Sequence, residues 1–416
     1  MKRSLPAAVA AAALVLTACG GPSADGPVEI GFLSYNYGTP DLGGAGMAQL
    51  VDTFEAEHPG IRIVPRGVPT AEVLTTLRAE TAAGSPPAVA QIGWSKMAEA
   101  YASLPVTAVQ EIAPPDQWAE HTAGMAQNVL AAVADDGVVR AMPFGMSVPA
   151  LFYNADLFRA AGLDPDRPPT TIAEVQAAAL AIRATGNEGV YVAIADAGKS
   201  DYLTQSVVNS AGGALVDGDA VTVDSPEAVA GLTAVAALTA TGAQPAIAAA
   251  DAVAQFGGGR LGMLVVSTAV LGGLERSAEG VFELRATGFP RFGDGPARPT
   301  YSGAGLAVLT DDPREQAAAW EFIRFLTSDR GFTTLAETIG YLPLRPAVAG
   351  AADPRLAASL AQLEEVTPYT AFPGENANQA VVALQDEAVE PIVLRGADPS
   401  TTLRAVAERI RALTAS

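Results

Sequence analysis

Val28-Glu29-Ile30-Gly31-Phe32-Leu33, Ile61-Arg62-Ile63-Val64-Pro65 and Ala88-Val89-Ala90-Gln91-Ile92 are three short apolar runs, and what separates them decides the fold. The first reads as a strand ending in the polar cluster Ser34-Tyr35-Asn36-Tyr37-Gly38, and the second alternates as a strand does. Between them Met47, Leu50, Val51 and Phe54 recur at helical spacing until His58-Pro59-Gly60 stops the pattern, which predicts a helix from about Gly43 to His58. A second helix is expected from about Ala71 to Ala83, before the third strand. Strand and helix in alternation predict a parallel sheet covered by helices, with ligands gathering at the carboxyl ends of the strands.

The same rhythm resumes from Ala150 to Val216, with a helix beginning at Thr171 and a strand at Val190-Tyr191-Val192-Ala193-Ile194. Two α/β lobes are the economical reading. It suits a chain of 416 residues, since a domain holds about 150. With 49% hydrophobic residues, 17% charged residues and one Cys, neither disorder nor a disulfide scaffold fits. The formal net charge of -20 would repel phosphate backbones, so nucleic acid is excluded as a partner.

At the amino terminus Lys2 and Arg3 precede an apolar run from Leu5 to Leu16, too short for the roughly 20 residues a spanning helix needs. Residues 1–18 therefore read as a signal peptide. Leu16-Thr17-Ala18-Cys19 resembles the bacterial lipobox, which implies lipid attachment at Cys19, with residues 19–26 as a flexible tether. No other stretch is long and apolar enough to span a bilayer. The body is then expected at the outer face of the cell membrane.

A stretch further on ties these features together. Pro143-Phe144-Gly145-Met146-Ser147-Val148-Pro149-Ala150-Leu151-Phe152-Tyr153-Asn154, with Ala161-Gly162-Leu163-Asp164-Pro165 after it, resembles the extracellular solute-binding proteins of ABC importers, nearest to the carbohydrate and glycerol-phosphate group. Phe256 through Met263, Ser302-Gly303-Ala304-Gly305-Leu306, the helix Ala319 to Leu326 around Trp320, and Gly340-Tyr341-Leu342-Pro343 follow in the family's order. The resemblance implies a two-lobed periplasmic-binding-protein-like fold of type II that closes on a solute. Mapped here, the first lobe takes residues 27–143 and 305–345 and the second 150–300 and 346–416. Residues 144–149 and 301–304 are expected as hinges, where Gly303 and Gly305 would allow backbone rotation. It also implies a small-molecule solute, permease subunits as partners, no cofactor, and a monomer.

The resemblance places cleft residues at strand ends, where ring faces stack on sugars and short polar groups bond hydroxyls. Tyr35, Asn36, Trp94 and Ser95 follow the first and third strands. Ser147 stands beside the first crossing, and Asp201 and Tyr202 lie where relatives carry a stacking Trp. Ser267, Thr268, Gly303 and Tyr341 match further cleft positions, while Trp320 is expected in the core. Phe372 and Asn376 lie in the loop Thr370 to Gln379, where glycerol-phosphate binders have an Arg and this chain has none. A guanidinium fork is the strongest holder of phosphate, so its absence moves a neutral sugar or polyol ahead of glycerol phosphate.

Catalytic signals are few. His58 and His121 are the only histidines, neither sits in a metal-ligand set, and both are expected at the surface. Ala193 to Ser200 imitates a phosphate loop but lacks its first glycine. Two catalytic carboxylates need no local motif, so a secreted glycan-active enzyme stays open, as does a receptor serving a sensor kinase or a structural surface lipoprotein.

Overall fold

A computed structural model describes residues 26–39, 43–135, 137–195, 201–351, 353–362 and 365–415. The signal peptide, Cys19 and the phosphate-loop imitation at 196–200 lie outside the described residues.

Nine strands build two sheets: β1 (Val28–Ser34), β2 (Ile61–Gly67), β3 (Val89–Gly93), β4 (Ala141–Ser147), β5 (Pro149–Asn154), β6 (Glu188–Val192), β7 (Leu261–Ser267), β8 (Leu284–Thr287) and β9 (Ser302–Val308). The first sheet runs β2-β1-β3-β9-β4, and the second runs β8-β5-β7-β6. β1 is parallel to β2 and β3, as the early alternation predicts, while β9 enters antiparallel between β3 and β4. In the second sheet β7 is parallel to β6, and β5 opposes both β7 and β8.

Helix formation follows the sequence signals closely. Gly43 caps the helix Gly44–Glu57 in a left-handed conformation with φ 74°, and any Cβ there would meet the Ile339 side chain. That helix buries Met47, Leu50, Val51 and Phe54, the residues whose spacing announces it, and ends at His58. Each such side chain contributes about 1.5–3 kcal/mol on full burial. Thr171 opens the helix Ile172–Arg183 with a reciprocal capping box to Glu174.

The chain passes from the first sheet to the second at Val148 and returns between Thr287 and Ser302. Phe144 to Ser147 and Ser302 to Ala304, within the two expected hinge segments, belong to strands of the first sheet. Gly303 is glycine for a steric reason: a Cβ there would lie 1.7 Å from the Gly145 carbonyl oxygen and 2.8 Å from Trp94 Nε1. It makes room for the neighbouring strand and an indole ring.

The histidines correct the expectation of surface positions. His58 stacks on Phe54 with ring centroids 4.2 Å apart and is half-buried. His121 is buried against Trp320, itself a core residue as expected. Arg345 Nη2 donates to His121 Nδ1 at 3.0 Å, and His121 Nε2 lies 2.8 Å from Thr327 Oγ1. A guanidinium only donates, so Nδ1 must accept and the ring is neutral. Burial, then the charge of Arg345, lowers the imidazole to about 4. Among the described residues no cluster of His, Cys, Asp or Glu is placed to hold a metal ion, and no helix is long and apolar enough to cross a membrane.

Candidate functional site

The carboxyl ends of β1 and β3 carry a closed polar network. Ser34 Oγ donates to Gln91 Oε1 at 2.6 Å and accepts the backbone N–H groups of Asn36 and Tyr37 at 3.1 and 3.2 Å. Gln91 Nε2 donates to Asn36 Oδ1, which also accepts the Tyr341 hydroxyl at 3.2 Å. Tyr35 lies beside Tyr341 and Gln91 in the same cluster. Burial pushes both phenols up. Gly145 admits the Tyr341 ring, whose Cε2 is 2.8 Å from where a Cβ would stand. Tyr35, Asn36 and Tyr341 are brought together and buried, with the Tyr341 hydroxyl bonded to Asn36.

Above this floor the helix Trp94–Ser103 starts directly from β3 and presents Trp94, Met97, Ala98 and Tyr101 along one side. These residues, with Val133 and Ala134, form one wall of a cavity of about 230 Å³ whose other wall is Tyr301, Tyr369 and Ala371. Trp94 is half-buried over Gly305, where a Cβ would come within 3.2 Å of its ring. Ser95 follows it, also half-buried. Arg140 lies 4.4 Å above the Tyr101 ring, a cation–π contact that fixes that wall.

The opposite wall rests on Asp201. Its carboxylate is fully buried, accepting the Tyr369 hydroxyl at 2.8 Å and Gln205 Nε2 at 3.0 Å. Burial raises its pKa, and Gln205, Tyr369 and the charge of Lys96 offset this only partly. Tyr369 therefore spends its hydroxyl on Asp201 and turns ring surface to the cavity. Lys96 Nζ bonds Asn378 Oδ1, tying the helix Trp94–Ser103 to the helix Ala377–Leu384 and joining the two sides of the cleft.

The remaining expected residues are placed elsewhere. Ser147 is buried at the end of β4, paired with Ser302. Thr268 N–H donates to the Val148 carbonyl at 2.9 Å and its hydroxyl accepts from Val148, so it clamps the first crossing. Ser267 accepts the Ala269 N–H and opens a short turn. Tyr202 begins the helix Tyr202–Ser210 and is buried in the second core. Phe372 is buried there as well, and Asn376 Nδ2 donates to the Leu413 carbonyl at 3.0 Å, holding the last helix. Apolar packing takes Phe372 out of the cleft, and that amide bond gives Asn376 a structural task.

Sequence reasoning missed Tyr101, Tyr301 and Tyr369. Tyr101 had a signal, since it stands seven residues beyond Trp94 with Met97 between, one face of one helix. A larger groove of about 880 Å³ runs along the helix Leu271–Ala278, but its lining is mostly glycine and charged side chains, and Arg355 there is already paired with Glu275 and Asp353. The smaller cavity is the candidate site because aromatic faces converge on it from both sides.

This fold and cleft define a class. The chain belongs to the bacterial extracellular solute-binding proteins, whose family profile matches residues 49–362. In sequence it is 31% identical over 142 residues to the sn-glycerol-3-phosphate-binding periplasmic protein UgpB of Escherichia coli (strain K12), a match covering 33% of this chain and only 32% of that one. In structure it is similar to UgpB from Mycobacterium tuberculosis in complex with glycerophosphocholine, with TM-score 0.78, 24% identity and coverage of 93% and 98% of the two chains. The GacH receptor of Streptomyces glaucescens, solved unliganded and with acarbose, superposes with TM-score 0.80 at 18% identity, covering 94% and 99%.

Proposed function

We propose that this protein is the substrate-binding component of an ABC importer, which captures a neutral sugar or sugar-like polyol between its lobes and delivers it to a membrane permease. One observation carries the reading: Trp94 and Tyr101 face Tyr301 and Tyr369 across the cavity, and its lining includes no Arg or Lys among the described residues. Stacked rings suit the apolar faces of a sugar, whereas a phosphate dianion would find no guanidinium or ammonium in the lining. Glycerol phosphate or a glycerophosphodiester is the second reading, favoured by the sequence relatives. We take the first lobe as residues 27–143 with 305–345 and the second as 150–300 with 346–416, the protein as a monomer anchored through Cys19, and its role as capture without catalysis.

Closure requires a solute that binds the shut form better than the open one, which contacts from both walls supply. A thermal-shift screen over sugars, polyols and glycerophosphodiesters tests the reading, since ligand at about 100 times its dissociation constant stabilises by about 2.7 kcal/mol. Trp94→Ala should then weaken the best ligand at least roughly tenfold, about 1.4 kcal/mol, by calorimetry. Unchanged affinity would remove Trp94 from the site, and product formed from a candidate glycan would show an enzyme instead.

A further inference from the structure

A second cavity of about 490 Å³ adjoins the first and shares Tyr301 with it. Its lining is apolar apart from that residue: Val129, Met146, Leu344, Leu360 and Val366 make most of the wall, and Pro346 and Pro368 stand exposed at its rim. Tyr301 is 8% exposed, and burial pushes its phenol up to about 12. The next residue along the rim, Tyr369, already has its hydroxyl committed to Asp201.

We propose that the two cavities form one site for an amphiphilic solute, a glycoside whose sugar lies between Trp94 and Tyr369 and whose apolar aglycone fills the second cavity, with the Tyr301 hydroxyl bonding an oxygen at the junction. This rests on the sugar-capture reading above. The second cavity is too apolar to hold further sugar units, whose hydroxyls would be left unpaired there. It offers an aglycone area removed from water at the cost of little ordering, because its walls are already formed.

Calorimetry on the full chain, with free glucose, galactose and maltose and their methyl, butyl and hexyl glycosides below micelle concentrations, tests this. Affinity should rise roughly fourfold per methylene until the cavity is full. Ala349→Phe, which fills the second cavity, should abolish that gain and leave the methyl glycosides unchanged. Tyr301→Phe should weaken every member of the series by a similar factor, roughly 2- to 10-fold. Sugars that bind with no gain along the series, or a gain that survives Ala349→Phe, overturn the two-cavity site and leave sugar capture standing. If no sugar or glycoside binds, both fall together.

Discussion

Tyr35 and Tyr341 beneath the cleft and Tyr301 and Tyr369 beside it are one residue type in unlike surroundings. The first pair is buried beside Ser34, Asn36 and Gln91, whose side chains bond one another and the Tyr341 hydroxyl. The second pair faces a cavity, one ring held in place by a buried carboxylate and the other standing where two cavities meet. Polar groups bonded within the fold fix geometry, whereas rings that face a cavity have surface left for a ligand.

The comparison predicts that substitutions in the floor and in the buried support of the wall act on folding, and substitutions of the wall rings on binding. The largest effect is expected from Gly303→Ala, which drives a Cβ into the Gly145 carbonyl and should cost about 3 kcal/mol or more, read as a fall in melting temperature with β9 poorly paired. Asn36→Ala removes the acceptor shared by Gln91 and Tyr341 and should cost about 2–3 kcal/mol in urea unfolding. Should Asn36→Ala fold normally and lose binding alone, the division between floor and wall is wrong. The smallest effect belongs to Asp201→Asn. Because the folded carboxyl titrates above an ordinary aspartate, folding takes up a proton between the two values, and the ionised group weighs against the fold as pH rises through that window. The variant should therefore gain melting temperature relative to the parent at pH 7, with the difference narrowing as pH falls toward about 4.

The fold was largely legible before any coordinates. Helical spacing at Met47, Leu50, Val51 and Phe54, the stop at His58, and the strands on either side are local signals, and local signals survive folding. The site was legible only in part. Trp94 leaves the end of a strand and lines the candidate cavity, yet Tyr35 and Asn36 also leave one and are buried, Asn36 against Gln91 on the neighbouring strand. That pairing spans 55 residues of sequence and has no local trace. Tyr369 lies in an irregular loop whose position depends on Asp201, 168 residues earlier. His121 misled for the same reason: its burial depends on Arg345, far along the chain.

The place of β9 in the first sheet has a consequence for how the molecule is made. β3 ends at Gly93 and β4 at Ser147, yet the strand that zips them together does not begin until Ser302. A ribosome delivers the whole of the second sheet before that missing slat arrives, so the earlier half waits with two raw β edges while the later one already has its strands. Such edges are where chains stick to their neighbours. Until that seven-residue strand pairs, the first sheet stays in two pieces.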